Sequence, residues 1–244
     1  MSTHLIGDVH RLPALRLLDK LDNNSVAAII LDPPERLGVH TSSESTVAHS
    51  VLGTLIPIAQ LCSLALVPGG AVIVMGGHNI LSAFDIVAES NDFRLSAEIV
   101  VLWIYERKSR PTNGLVSLHM PVRWYRKPGH RAATSHELRL DSNVVIAHAV
   151  KDAHIKNPAQ KPVELFNYLI SALTLDRDLI VDPFCGAGSS LVAAEMCNRR
   201  WIGGDSDGKQ VVIAQRRVHD LEKEDSRMAV LETWAQGRKK KIEG

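Results

Sequence analysis

The chain has 244 residues, 45% of them hydrophobic and 23% charged, with a net charge of +1. That length buries a core without staples, and those fractions exclude a disordered or fibrous chain. No apolar run approaches the roughly 18 residues of a membrane span, and MSTHLIGDVHRL at the N-terminus has no signal-peptide core, so a soluble, cytoplasmic protein without a membrane partner is expected. Cys62, Cys185 and Cys197 form no CxxC pair, which points to buried thiols rather than a disulfide framework, and no metal site is expected.

In chain order, Ser25 to Asp32 (SVAAIILD) is a short continuous apolar run, as a strand buried on both faces requires. Helical periodicity follows from Val47 to Leu66, where Pro57 predicts a kink. A second apolar run, Ala71 to Gly77, comes after the turn VPGG. Asn79 to Ser90 again has a helical period, and Leu95 to Trp103 reads as a strand. Between Tyr105 and Arg139 stand eight basic residues against two acidic ones, a net +6 in a chain whose total is +1. Prolines and glycines break any period there, so this stretch is expected as an excursion from the sheet. Its charge suits either a solvated loop or a polyanion-binding face.

Past the basic stretch, Pro162 to Leu175 predicts a helix opened by proline, Asp178 to Asp182 a strand, and Ser189 to Asn198 a helix. Arg199 to Asp205 predicts a strand, Gly208 to Leu221 a last helix, and GRKKKIEG a frayed, solvated end. Strand and helix alternate. The expected fold class is therefore α/β, with a mostly parallel sheet and helices on both faces.

Two motifs carry chemistry. In LIVDPFCGAGSSLVAAEMCNRRWIGGD an apolar run ends at Asp182, and a loop with Gly186 and Gly188 leads into a helix, leaving backbone free to approach a nucleotide-like ligand. Asp205 follows a second short strand, where a carboxylate meets ribose hydroxyls. Leu191 stands where a dinucleotide fingerprint wants its third glycine, and no GK[ST] is present, so nicotinamide and Walker-type phosphate binding are the weaker readings. In DPPE, Asp32 to Glu35, two prolines fix a short turn and remove two N–H donors, which leaves carbonyls beside the aspartate. Such a turn either ends a strand or receives the hydrogens of an amine; the tripeptide alone leaves both open.

The order of these motifs narrows the choice. DPP after an early strand, NPAQKP at Asn157 to Pro162, and then DPFCGAGSS resemble the amino-methyltransferases of bacterial and phage DNA. More narrowly, they resemble the beta-class arrangement, in which the catalytic half precedes the S-adenosylmethionine half. LIGDV, LCSLALVPGGAVIVM, IVVLWIYERK, VRWYRKPG and QVVIAQRRV extend the resemblance over most of residues 5–222.

The resemblance implies a Rossmann-like SAM-dependent methyltransferase fold with circularly permuted motif order. A catalytic half would span 1–104, a basic segment with a short target-recognition insertion 105–155, a SAM-binding half 156–222, and a tail 223–244. It implies S-adenosyl-L-methionine as cofactor, with Asp182, Phe184, Gly186 and Gly188 lining its pocket, Asp205 on the ribose, Asp8 near adenine and Lys161 at the methionine end. Asp32 would accept a hydrogen bond from the target amine, aided by the turn of Pro33 and Pro34. The partner implied is double-stranded DNA, held by Arg107, Lys108, Arg110, Arg123, Arg126 and Lys127, with Trp103, Trp124 and Tyr125 available to stack on bases. A homodimer is compatible with the family, and a restriction-modification setting in bacteria or phage is the usual one. Asp rather than Ser before the prolines favours adenine N6 over cytosine N4. Glu35 departs from the pattern, because the family places there the aromatic ring that stacks on the flipped base.

Overall fold

The computed structural model describes residues 2–34, 44–104, 119–130, 143–148 and 160–221. Glu35, Arg107, Lys108, Arg110 and the expected C-terminal tail lie outside them. A 3-10 turn, Ser2–Leu5, leads into β1 (Val9–Arg11), α1 (Ala14–Leu18) and β2 (Val26–Leu31). Then come α2 (Glu44–Ala65), β3 (Leu66–Met75), α3 (His78–Glu89), β4 (Arg94–Ile104), β5 (His119–Arg126) and β6 (Val144–His148). The chain closes with α4 (Val163–Leu173), β7 (Leu179–Asp182), α5 (Ser189–Met196), β8 (Arg200–Asp205) and α6 (Gly208–Asp220).

All eight strands form one sheet in the order β1-β8-β7-β2-β3-β5-β4-β6. Every neighbouring pair is parallel except the two made by β5, which runs antiparallel to β3 and β4. The fold is the mostly parallel Rossmann-like architecture expected, and strands from both ends of the sequence share the sheet: β2 pairs with β7, and β1 with β8. β2 lies near the middle, so all six of its residues are buried, with alternate side chains serving opposite faces. Ile29 and Leu31 join Leu17 of α1, Leu55 of α2 and Phe84 of α3, whereas Ala28 and Ile30 join Leu169 of α4, Leu191 of α5 and Ala214 of α6.

The expected excursion of the basic stretch needs correcting. β5, inside it, is a strand of the same sheet, and β6 joins that sheet just beyond it. The expected kink at Pro57 falls within a single helix, α2, that continues across it; Gly53, whose carbonyl faces the proline ring one turn earlier, has open space around it. No helix among the described residues is long and apolar enough to cross a membrane.

Candidate active site

β7 is followed by α5 on one face of the sheet, and its neighbour β2 leads toward α2 on the other, so the chain departs in opposite directions from adjacent strand ends. A crevice opens outside the carboxyl ends of such strands. Asp32 stands one residue past β2 and Asp182 ends β7, which brings the two motifs of the sequence together at this place.

The loop after β7 is held from three sides. Asp182, 2% exposed, accepts from the Phe184 backbone N–H at 2.9 Å and from the Ser190 hydroxyl at the start of α5. Asp205, at the end of β8, accepts from the Gly186 N–H at 3.0 Å with one oxygen and from the Asp207 N–H at 2.8 Å with the other. Arg217 of α6 donates to the Ala187 carbonyl at 2.6 Å. Gly188, which precedes α5, has φ +78°, and a Cβ there would lie 2.8 Å from the Ala214 Cβ, so both its backbone conformation and its packing require glycine. At Gly186, φ +50°, a Cβ would meet nothing within 4 Å. Bare backbone therefore faces open space there, as a surface receiving a flat nucleoside-sized group does.

The burial of Asp182 pushes its carboxyl up to about 7 despite the Ser190 and Phe184 hydrogen bonds, and the nearby charges of Asp32 and Asp205 add to the shift. Asp182 thus organises the loop from inside, while Asp205 stands partly open at the rim. Phe184 packs its half-buried ring against the core on the α1–α3 side. Asp8 does not join this cluster: it precedes β1, where its carboxylate takes the Val9 N–H at 2.7 Å and the Gln215 amide at 3.3 Å.

Lys161, expected at the methionine end of a cofactor, has its ammonium on Asp32, 2.9 Å from Oδ1 and 2.7 Å from Oδ2. Burial raises the Asp32 carboxyl above its ordinary range, and Lys161 pulls it back down. Pro33 is buried and Pro34 exposed, so the turn is anchored on one side and open on the other.

The expected DNA cations fare differently. Arg123 is committed to Asp85 and to Glu98, the latter at 2.8 Å. The Lys127 ammonium is engaged within the fold: it donates to the carbonyls of Ser63 and Leu66, both at 2.7 Å, and to Asn24 Oδ1 at 3.0 Å. Leu66 pairs with Val26, six residues before Asp32, so Lys127 lies roughly 20 Å down the strands from the crevice. Arg126, opposite Ala71, is also toward that far end, with its guanidinium 5.0 Å from the Trp124 ring centroid. Tyr125 is 1% exposed, packed at 5.0 Å on Phe84 and bonded to Asp85, so it is a core residue and not a base platform.

Ser190 and Arg217 do not stand out in the sequence as site residues. A hydroxyl in the first turn of the helix that follows a strand-end acid, eight residues on, is a local signal that could have found Ser190. Nothing near Arg217 advertises a carbonyl thirty residues earlier.

The family model described as DNA methylase matches residues 26–216. The chain is 26% identical over 239 residues to the type II methyltransferase M2.LlaDCHI of Lactococcus lactis subsp. cremoris, covering 84% of this chain and 87% of that one. It is 24% identical to the type II methyltransferase M.HpaI of Haemophilus parainfluenzae, covering 84% and 72%. Among solved structures, the PvuII DNA methyltransferase, cytosine-N4-specific, superposes with a TM-score of 0.71 at 17% identity, over 92% of each chain. TTHA0409 of Thermus thermophilus, solved with S-adenosyl-L-methionine, superposes with a TM-score of 0.69 at 19% identity, over 86% of this chain and 92% of that one.

Proposed function

The chain belongs to the DNA methylase family, whose members depend on S-adenosyl-L-methionine, and on that premise we propose that it methylates an exocyclic base amine in double-stranded DNA, N6 of adenine before N4 of cytosine. The observation that carries this reading is the convergence of Asp32 and its proline turn with the Asp182 loop at the adjoining ends of β2 and β7. Asp182, Phe184, Gly186, Gly188 and Asp205 would hold the cofactor, with Asp8, set apart ahead of β1, toward its adenine. The open backbone at Gly186 and the partly open carboxylate of Asp205 fit the nucleoside part of such a group. When bound, the cofactor supplies a methyl carbon activated by a sulfonium leaving group.

The chain's own contribution is binding and orientation. An exocyclic amine delocalises its lone pair into the base ring, and an acceptor on its hydrogens turns the nitrogen toward a pyramidal, nucleophilic shape. Asp32 supplies that acceptor, with the Pro33 carbonyl beside it. Asp32 would hold the amine's hydrogens while the nitrogen is methylated and would lie within reach of the proton that the nitrogen gives up. No covalent enzyme adduct is needed, because positioning carries the direct displacement. Taking the base out of the duplex costs on the order of a few kcal/mol, which Arg107, Lys108 and Arg110 would help to offset through phosphate contacts. Asp rather than Ser before the prolines is the ground for adenine.

Tritiated cofactor and unmethylated DNA test the proposal. Label is expected in DNA with the native chain and not with Asp32→Ala, while the variant still binds the cofactor. A second reading, a weak or inactive member that binds DNA, is favoured by Glu35 alone. Losing a stacked ring should cost about 1–3 kcal/mol in base binding. Under that reading Glu35→Tyr raises activity; if the glutamate belongs to the mechanism, the same change lowers it. Homodimer formation is part of the family expectation, and light scattering across a dilution series measures it.

A further inference from the structure

We propose that Lys161 is a positioning residue that acts through Asp32: its ammonium keeps the carboxylate an acceptor and fills the place of the target amine until the amine arrives. The inference rests on the reading of Asp32 given above.

The ammonium reaches both carboxylate oxygens, at 2.9 and 2.7 Å, across 129 residues of sequence. Its backbone is set by Pro162, which stands extended at the mouth of α4 with φ −69° and ψ 144°. The lysine is therefore presented from a fixed stem. Both side chains are about four-fifths covered, at 19% and 17% exposure, so water competes little with the contact. Among the described residues the charged groups acting here are Lys161, ahead of α4, and Asp182, at the end of β7. Asp182 senses the charges of Asp32 and Asp205. Without the lysine, Asp32 is a covered carboxylate facing a second covered carboxylate, and burial together with like charge favours the neutral acid.

That change reverses the chemistry. A protonated Asp32 turns one oxygen into an O–H donor toward an amine that also donates, and leaves only the weaker, uncharged carbonyl oxygen to pyramidalise the nitrogen. The lysine is also a donor–cation at the position where the amine's hydrogens must point. Its N–H···O contacts to Asp32 are of the same kind as those an amine's hydrogens would make. Arrival of the amine needs only that one oxygen be shared or released. A lysine whose task is to hold the cofactor's methionine end has no reason to touch both oxygens of the catalytic acid.

Two variants separate charge from hydrogen bonding: Lys161→Gln keeps a donor without charge, and Lys161→Arg keeps the charge. The first readout is the titration of the Asp32 carboxyl, followed by carbon NMR of selectively labelled protein without cofactor or DNA. Its midpoint is expected to rise by about 1–3 pH units in Lys161→Gln and to stay near the native value in Lys161→Arg. An unchanged midpoint in Lys161→Gln overturns the proposal. The second readout is the acid limb of kcat/KM for methyl transfer. In Lys161→Gln the limb is expected to move up with the NMR midpoint, so activity falls about tenfold per pH unit below the new midpoint and returns toward alkaline pH. If instead the limb stays in place and only cofactor affinity falls, Lys161 is a cofactor contact and the proposal fails. Should the native chain transfer no methyl group at any pH, the functional reading fails, and the NMR titration still decides the role of Lys161.

Discussion

Asp182 is a carboxylate enclosed in the loop after β7, 2% exposed. Its carboxyl is pushed from 3.8 up to about 7 by burial, so between those values the folded chain binds more protons than the unfolded one. Stability contributed by this group is greatest at low pH and declines as pH rises through that window. Thermal unfolding at about pH 5 and about pH 7 checks the sign: the native midpoint should fall with rising pH by more than that of Asp182→Asn, whose amide oxygen still accepts from Phe184. Gly188 gives a second prediction at this scale. With φ +78° and the Ala214 Cβ 2.8 Å from where a Cβ would stand, Gly188→Ala should lose on the order of 2 kcal/mol in denaturant unfolding and weaken cofactor binding, since the loop must shift. Asp182, Gly186 and Gly188 stand out in the sequence because their motif is local, one strand end and one helix start, and Asp205 stands out because it ends the next strand. Lys161 was legible as a site residue but not as the partner of Asp32, since its spacing from Asp32 carries no periodic signal.

Elements with an unbroken apolar run were readable, and those whose polar residues are paired inside the fold were not. β2, β4, β7 and β8 stand within a residue or two of their expected bounds; β2 and β7 are aliphatic runs in the covered middle of the sheet, while β4 and β8, next to its edges, show shorter apolar stretches among polar residues. β5, HMPVRWYR, contains two arginines and a histidine, and looks like a loop until Arg123 is seen to meet Asp85 from α3 and Glu98 from β4. β1 and α1 are three and five residues long, too short for a period to show. The same hidden pairing explains why Lys127 looks like a DNA contact in the sequence. It closes the far end of the sheet by capping carbonyls at the junction of α2 and β3. Lys127→Met should therefore cost about 1–3 kcal/mol of folding stability by leaving those acceptors without their donor. DNA binding by that variant should keep the native dependence on salt, whereas a phosphate contact would reduce the slope by about one.

At the scale of the molecule, the sheet explains why a site split between residues 32, 161 and 182 works as one. β2 and β7 are far apart in sequence and adjacent in space, and the helices that follow them leave on opposite faces, so the crevice lies where two distant loops meet. The two strand ends differ in chemistry, open glycine backbone at β7 and a proline turn at β2, and the proposed function gives the first to the cofactor and the second to the base. The order of motifs along the chain is then a matter of connectivity alone, which is why the sequence could be read only through motif order and not through any single motif. The central claim is that Asp32 receives a base amine in DNA for methylation, and nucleoside mass spectrometry of DNA treated with the protein and S-adenosyl-L-methionine tests it most directly. N6-methyladenine is expected in DNA treated with the native chain, and none above background with Asp32→Ala. Equal methylation by Asp32→Ala, or methyl groups found only on a ring carbon, would contradict it.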